Sequence, residues 1–152
     1  ASLNRLTIAT IISSKMALPY FQGEAFETIH NYISRDGILR KGAVSAEENE
    51  VLLIPINMKD GSLLCVGKGN EDWLMSAPHG AGRLMSRKKA IESISIDDFK
   101  KSMENIYTTS VCESTIDEAP MAYKSMDEIM DCIKDTVKIH KILKPIYNFK
   151  AK

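Results

Sequence analysis

The chain lacks the features that define membrane proteins, secreted disulfide-rich proteins and strongly basic proteins. It has no apolar run of about 18 residues, so no segment is predicted to span a membrane. The apolar stretch 6–12 has neither a basic leader nor a small-residue cleavage site, so we expect no signal peptide. Three cysteines, Cys65, Cys112 and Cys132, form no CxxC pair, which favours buried free thiols in the reducing cytoplasm. Twenty basic residues balance twenty acidic ones, so the net charge does not indicate nucleic-acid binding.

The composition is that of one globular domain. The chain has 152 residues, of which 44% are hydrophobic and 26% are charged, and this length suffices for a single core. Apolar residues at helical spacing predict a helix over residues 2–16, and residues 25–33 form a second, shorter amphipathic segment. Two apolar runs, 51–55 and 62–66, predict neighbouring strands that form a hairpin.

The second half of the chain favours helices. A helix is expected to begin near Ala81, because good helix formers follow the last glycine. Capping boxes at 95–98 and 125–128 predict two further helix starts, and the apolar stripes after them should face the core. Residues 146–149 are expected to form a last strand, and Trp73 is expected in the core, with base stacking as its alternative. Strands and helices do not alternate regularly, so the predicted class is α+β, a mixed sheet with packed helices.

The stretch SAPHGAGRLMSR, residues 76–87, places a histidine directly before Gly-Ala-Gly. Glycines let a backbone approach an anion closely, and successive N–H groups at a loop-to-helix junction form an anion cradle. Arg83 and Arg87 lie four residues apart, so a helix would present both guanidinium groups to a phosphate. A neutral imidazole at His79 could then attack phosphorus and form a phosphoramidate. The alternative is a histidine that caps a helix or binds a backbone carbonyl.

The complete string carries more information than its glycines. The spacing of a Walker A loop is absent, but the string resembles the S-x-PHGAGR-x-x-SR segment of the RtcB family of RNA-splicing ligases. Other stretches resemble further motifs of that family, and together they cover nearly the whole chain. They are His30-Asn31, Arg40-Lys41-Gly42-Ala43, Leu53-Ile54-Pro55 with Met58, Ser62 and Gly67-Lys68-Gly69-Asn70, Glu118-Ala119-Pro120 with Ala122-Tyr123-Lys124, and Lys144-Pro145-Ile146 with Lys150.

The resemblance implies an enzyme of RNA repair or tRNA splicing. Such ligases join RNA ends that carry a 2′,3′-cyclic phosphate or a 3′-phosphate to ends that carry a 5′-hydroxyl, and they use GTP and manganese. By resemblance, His79 would be guanylylated and would pass GMP to the RNA 3′-phosphate. The 5′-hydroxyl would then attack the activated end, and GMP would leave.

The resemblance also implies roles for individual residues. His30 matches a manganese ligand, and the metal would polarise phosphoryl oxygens. Tyr123 and Lys150 match residues near the guanine, where lysine suits the two acceptors O6 and N7. Arg40 and Lys41 would contact phosphate or the RNA backbone, or they form an exposed basic pair. The other implied nucleotide contacts are Asn31, Asn57, Ser62, His79, Gly80, Ala81 and Gly82, and Arg83 and Arg87 complete the RNA- and phosphate-binding set.

The chain departs from the family in its length. Family members are much longer, and their remaining metal ligands, an Asp, a Cys and two His, lie in an amino-terminal half without a counterpart here. Residues 1–152 are therefore expected to form a single domain equivalent to the carboxy-terminal part of a ligase, with that half as a partner. One histidine cannot hold manganese firmly, so we expect weak or no ligation by the isolated chain.

Two other functions remain open at this point. One is a catalytically silent nucleotide-binding or interaction module that keeps the pocket of a ligase. The other is a different phosphotransferase or phosphohydrolase with a histidine nucleophile. Tyr123 and Lys150 favour guanine recognition over a generic phosphate site, whereas the missing metal ligands favour the silent module.

Overall fold

The computed structural model of the protein describes residues 2–18 and 25–150. Helices lie among short strands that pair in three antiparallel sheets, which confirms the predicted α+β class. The α-helices are α1 (Ser2–Lys15), α2 (Arg87–Ser93), α3 (Ile96–Ser102) and α4 (Met126–Cys132). The strands are β1 (Asn31–Ile33), β2 (Leu39–Lys41), β3 (Ala43–Ser45), β4 (Val51–Asn57), β5 (Gly61–Gly67), β6 (Ser76–Pro78) and β7 (Val137–Leu143).

The largest sheet has the strand order β4–β5–β7. Strands β4 and β5 form the predicted hairpin, and Ile54 and Leu63 lie opposite each other on its buried face. Gly61 at the end of the hairpin turn has φ of +89°. A Cβ at Gly61 would lie 2.0 Å from the carbonyl oxygen of Leu143, so only glycine lets β7 approach the turn this closely.

The last strand lies earlier in the chain than the sequence indicates. The prediction of a strand over residues 146–149 is wrong, because β7 covers Val137–Leu143 and only Asn148 of the later segment makes an isolated bridge, to Thr108. The β-branched residues of β7 suit the pleated surface beside β5. Residues after Pro145 are instead held through Asn148, whose side-chain amide donates to the Met58 carbonyl at 2.7 Å.

Two small sheets bring the histidine loop beside the loop between β2 and β3. Strand β1 pairs with β2, and β3 pairs with β6. In the second sheet Ala43 lies opposite Pro78. Gly42 directly precedes β3 and His79 directly follows β6. The two residues are therefore neighbours in space, although 36 residues lie between them in the sequence.

The capping boxes predict two helix starts correctly, but the helix expected near Ala81 begins later. Ser95 accepts a hydrogen bond from the Asp98 amide at the start of α3, and Ser125 accepts one from Glu128 at the start of α4. Helix α2 begins only at Arg87, where Ser86 is the N-cap. Two features prevent an earlier start: Gly82 has φ of +72°, and Arg83 forms a β-bridge with Tyr123. The helix dipole therefore does not act on the glycine loop itself.

Among the residues that the structure describes, the buried apolar side chains form two separate hydrophobic clusters. The first lies under the β4–β5–β7 sheet and includes Ile56, Ala81 and Ile129 of α4. The second packs Phe99 and Met103 around Met58, with Ile116 and Ala119 completing it. Phe99 and Met103 confirm that the apolar stripe after the first capping box faces the core.

Helix α1 confirms the helix predicted over residues 2–16, but its apolar face is not covered in the part of the chain that the structure describes. Leu3, Leu6, Ile8, Ile11 and Ile12 are each at least 48% exposed. Among the described residues, no helix combines the length and the apolar character needed to cross a bilayer. The amphipathic segment that follows has no regular structure over residues 25–30 and then enters β1.

Two expectations about burial need correction. Trp73 is 58% exposed rather than part of the core, because it lies on a surface turn that ends with Leu74 and Met75 at positive φ. Of the three cysteines, only Cys65 is buried, and burial raises the pKa of its thiol to about 11. Cys132 is exposed because it ends α4 on the solvent side, and Cys112 is half-buried.

Candidate functional site

His79 is held in a defined orientation by backbone that the first motifs supply. Its Nδ1 lies 2.7 Å from the carbonyl oxygen of Gly42. The Gly42 amide in turn donates to the His30 carbonyl at 2.8 Å and to the side-chain oxygen of Asn31 at 3.1 Å. Gly42 has φ of +66°, a region that favours glycine. The His-Asn and Arg-Lys-Gly-Ala stretches therefore meet at the ring of His79.

The hydrogen bond to Gly42 sets the tautomer of His79. A carbonyl oxygen only accepts, so Nδ1 must carry the proton, and Nε2 keeps its lone pair. The imidazole thus binds a backbone carbonyl, which was the alternative to a nucleophile, yet the same bond leaves Nε2 available for attack. The ring of His30 stacks on His79, with ring centroids 4.9 Å apart and an interplanar angle of 23°.

The Gly-Ala-Gly loop is fixed against strand β4. The Ala81 amide donates to the Pro55 carbonyl at 3.1 Å. A Cβ at Gly80 would lie 3.0 Å from the same carbonyl oxygen, so a larger residue there would push the loop away from the strand. Since this loop follows His79 directly, its attachment also fixes the position of the imidazole.

The loop forms one wall of a cavity of about 800 Å³. Small-molecule sites typically measure roughly 300–1,000 Å³, so a nucleotide can be accommodated. Most of the residues singled out from the sequence line this cavity: Asn57, Ser62, His79, Gly80, Ala81, Gly82, Arg83, Arg87, Tyr123 and Lys150. His30, Asn31, Arg40 and Lys41 do not line it.

Glu118 joins the basic and aromatic residues of the opposite wall; the sequence placed it in a family motif but gave it no role in the site. Its Oε2 accepts hydrogen bonds from the Tyr123 hydroxyl at 3.0 Å and from Lys150 Nζ at 2.9 Å. Its Oε1 lies 3.0 Å from the guanidinium of Arg87, which also pairs with Asp117. Arg83 donates to the Tyr123 hydroxyl at 3.0 Å. One carboxylate therefore positions side chains from three distant segments of the chain.

The ionisation of this wall follows from its contacts. Burial alone would raise the pKa of Glu118, but hydrogen bonds from Lys150 and Tyr123 and the charges of Lys150 and Arg87 outweigh it, so the pKa lies below its ordinary value. Burial, together with the hydrogen bond to Glu118 and its negative charge, raises the pKa of Tyr123. At neutral pH the wall thus presents an ionised Glu118 and a protonated Tyr123.

Arg40 and Lys41 do not form the exposed basic pair that was one reading of the sequence. Arg40 is 2% exposed, and its guanidinium donates to the Ser76 hydroxyl, the Tyr32 hydroxyl and the carbonyls of Leu74 and Met75. These hydrogen bonds hold the turn before β6 in place. Arg40 therefore has a structural role, and it does not line the cavity. Lys41 is exposed on β2.

Asn57 and Asn31 use their side chains within the fold. The Asn57 side-chain oxygen accepts from the amides of Lys59 and Asp60, and its nitrogen donates to the Asp60 carboxylate. Asn57 therefore stabilises the hairpin turn while it lines the cavity. Asn31 acts on the imidazole only indirectly, through Gly42.

The donor set for a metal ion is incomplete in residues 2–18 and 25–150. No group of three or more His, Cys, Asp and Glu side chains in these residues could hold an ion. His30 supplies one imidazole beside His79, and manganese sites need several converging donors. The residues present therefore do not fit a complete manganese site.

An oriented imidazole at the edge of a nucleotide-sized cavity, opposite arginine, lysine and tyrosine, defines a candidate phosphoryl-transfer site. Comparison with known proteins identifies the family. A family model described as tRNA-splicing ligase RtcB matches residues 1–151, and the chain belongs to that family.

Several curated relatives share this family. The chain is 36% identical over 155 residues to RNA-splicing ligase RtcB1 of Escherichia coli ATCC 25922, covering 91% of this chain and 38% of that protein. It is 38% identical over 117 residues to RNA-splicing ligase RtcB of Escherichia coli K12, covering 72% of this chain and 28% of the relative. The tRNA-splicing ligase RtcB of Methanopyrus kandleri is 31% identical over 117 residues, which cover 63% of this chain and 12% of the relative. The chain thus spans well under half the length of these relatives.

Proposed function

We propose that this chain is the nucleotide-bearing, carboxy-terminal part of an RNA ligase. The ligase joins RNA 3′-phosphate or 2′,3′-cyclic phosphate ends to 5′-hydroxyl ends with GTP as the energy source. His79 is the nucleophile: its Nε2 forms a bond to the α-phosphorus of GTP, and pyrophosphate leaves. A 2′,3′-cyclic end is first opened by water to a 3′-phosphate. The GMP on His79 then passes to this 3′-phosphate and frees the imidazole, and the attacking 5′-hydroxyl displaces GMP as the new phosphodiester forms.

The observation that carries this proposal is the hydrogen bond between His79 and Gly42 at the edge of the cavity. It fixes the proton on Nδ1 and leaves the Nε2 lone pair free, which is the state that nucleophilic attack requires. It also holds the ring still, so attack does not require the ring to be ordered first. The Ala81 amide is used by the Pro55 carbonyl, so the backbone N–H groups of Gly80 and Gly82 are the ones that would bind the phosphate.

The opposite wall supports recognition of guanine and phosphate. Lys150 and Tyr123 are both held by Glu118. The Lys150 ammonium keeps further N–H donors for the acceptors of a base, whereas Tyr123 already gives its single hydroxyl hydrogen to Glu118. Lysine suits the O6 and N7 acceptors of guanine, whereas adenine offers a donor at N6. Arg87 is largely exposed at the cavity and can exchange its carboxylate partners for phosphate oxygens.

Manganese enters this proposal only with its other ligands. His30 would be one of them, and a bound divalent ion would neutralise phosphate charge during transfer. The further donors would come from the amino-terminal half of the ligase, as the family resemblance implies. The isolated chain should accordingly ligate RNA weakly or not at all.

The test is covalent labelling of the protein with α-phosphate-labelled GTP in the presence of manganese. The chain is assayed alone and together with the amino-terminal part of an RtcB relative. We expect an acid-labile adduct on the wild type that His79→Ala abolishes, since a phosphoramidate is the only bond proposed. His140→Ala is the matched control, because His140 is exposed on β7 and does not line the cavity.

The outcomes separate the candidate functions. Absence of label when both parts are supplied would sink the ligase proposal, and GTP binding without label would favour a silent nucleotide-binding module. Equal labelling from ATP would instead indicate a phosphotransferase or phosphohydrolase that does not select guanine.

A further inference from the structure

The neutral net charge of the chain conceals an uneven distribution. Residues 136–152 contain five lysines and no aspartate or glutamate. The preceding 135 residues therefore carry fifteen basic and all twenty acidic residues. A polyanion approaching the molecule would be attracted to this last segment and repelled by much of the remainder.

Strand β7 presents part of this charge on one face. It lies at the edge of its sheet and pairs only with β5 among the described strands. Lys138 lies opposite Val66 and Lys141 lies opposite Leu64, with a register shift between Leu64 and Cys65. Val66 and Leu64 are two residues apart and share a face, so the shift brings both lysines to that face as well.

The lysines are free to bind an anion. Lys138, Lys141 and Lys144 are exposed, and within the described ranges none of their ammonium groups makes an ion pair or a hydrogen bond. Lys144 lines the cavity that also contains His79. The row of charge therefore runs along β7 and ends at the candidate active site.

Aromatic side chains flank the same end of the row. Asn148 and Lys150 line the cavity, whereas Tyr147 and Phe149, which alternate with them along the chain, do not. Tyr147 and Phe149 are exposed to solvent, Phe149 by 73%. Tyr107, 74% exposed, places its ring 5.5 Å from that of Tyr147. The Asn148 amide donates to the Tyr107 carbonyl, and the Tyr147 and Thr109 hydroxyls are 2.7 Å apart, so the two segments are fixed together.

Protection of a sheet edge explains only part of this arrangement. Lysines on an edge strand prevent unwanted strand pairing, which would account for Lys138 and Lys141. It does not account for a lysine at the cavity or for exposed aromatic rings beside it. Unpaired basic side chains next to aromatic rings are the usual pattern of single-stranded nucleic-acid sites, where the backbone follows positive charge and bases stack on rings.

We propose that Lys138, Lys141 and Lys144 bind the backbone of single-stranded RNA and lead its phosphate-bearing end into the cavity, while Tyr107 and Tyr147 stack on its unpaired bases. This proposal rests on the ligase function proposed above, because it assigns the path of that ligase's RNA substrate. Apart from Lys144, which lines the cavity, the residues assigned here lie outside it.

The test measures binding of a short, unstructured, fluorescein-labelled RNA with a 3′-phosphate to the full chain at several salt concentrations. Replacement of Lys138, Lys141 and Lys144 together by glutamine should weaken binding at least tenfold. It should also reduce the slope of log affinity against log salt by about 2, since each phosphate contact on a single strand contributes roughly 0.7. The matched control replaces Lys89, Lys100 and Lys101 by glutamine, which removes equal charge on α2 and α3.

A second variant tests stacking without a change of charge. Tyr107→Leu should weaken RNA binding about fivefold or more, in line with the loss of a base-stacking ring. Phe26→Leu removes a half-exposed aromatic ring that does not line the cavity and should leave binding unchanged. Thermal melting by circular dichroism establishes that each variant is folded.

The possible results distinguish failure of this inference from failure of the ligase proposal. Equal losses in the two lysine variants, or an unchanged salt slope, would overturn the RNA path even if His79 is labelled by GTP. Equal binding of a duplex of the same length would overturn the assignment to single strands. A lysine-dependent RNA interaction without His79 labelling would support the path and reject the ligase chemistry.

Discussion

At the scale of single residues, Glu118 shows how one carboxylate organises a site that otherwise carries positive charge. It contacts Lys150, Tyr123 and Arg87, which come from three separate segments. The family-like motif contains Glu118 but does not reveal its role, because that role depends on which side chains converge on it. His79 was easier to find, since its glycine-rich neighbourhood has a recognisable chemistry.

Glu118→Gln keeps the size of the side chain and removes its charge. At pH 7 we expect the free energy of unfolding to fall by about 2 kcal/mol, because hydrogen bonds to a charged group contribute about that much. The folded-state pKa of Glu118 is lowered, so its stabilisation is present above the unfolded pKa of roughly 4.3 and is lost as the pH falls through the folded value. Urea unfolding between about pH 3 and pH 7 measures the difference from wild type, which should disappear in acid.

The control for this prediction is Glu92→Gln. Glu92 lies 3.9 Å from Lys88 on the exposed side of α2, where ion pairs contribute about 0–1 kcal/mol. If the free energy of unfolding of Glu118→Gln stays below that of the wild type at low pH, the loss of stability comes from the altered shape of the side chain and not from its charge.

At the scale of elements, local signals predicted what local interactions determine. The two serine capping boxes start α3 and α4 because their hydrogen bonds need only residues three apart. The start of α2 was misplaced, since the bridge between Arg83 and Tyr123 joins residues 40 apart. Strand β7 was missed for the same reason: its pairing with β5 is a tertiary contact.

The hairpin turn offers a stability prediction at this scale. Gly61→Ala should lower the free energy of unfolding by about 3 kcal/mol, because it combines a left-handed backbone with a Cβ placed against the Leu143 carbonyl. Gly37→Ala isolates the first of these effects, as Gly37 has φ of +80° but no atom within 4 Å of its added Cβ. It should cost about 1 kcal/mol. Equal values from chemical denaturation would contradict the close approach of β7.

At the scale of the whole molecule, helix α1 contributes little to the two cores. Its large apolar side chains are mostly exposed, and Arg5 forms an ion pair with Glu27 at 2.8 Å. Helical spacing predicted the helix correctly but could not predict what covers its apolar face, because periodicity carries no information about a partner.

Deletion of residues 1–18 should therefore change the midpoint of thermal unfolding by no more than about 4 °C, which corresponds to roughly 1 kcal/mol in a chain of this size. Calorimetry of the shortened and complete chains gives the comparison. A drop several times larger would mean that α1 is part of the cooperative core.

The candidate cavity takes its walls from both hydrophobic clusters, since Ile56 and Ala81 belong to one and Met58 to the other. A nucleotide seated there would touch the two clusters at once and would add its binding energy to both. A bound nucleotide should then couple the unfolding of the two clusters. If the clusters unfold separately in the free protein, they would unfold in one sharper transition when the nucleotide is bound. The cavity proposed for the chemistry is thus also the contact between the two clusters that determines how cooperatively the protein unfolds.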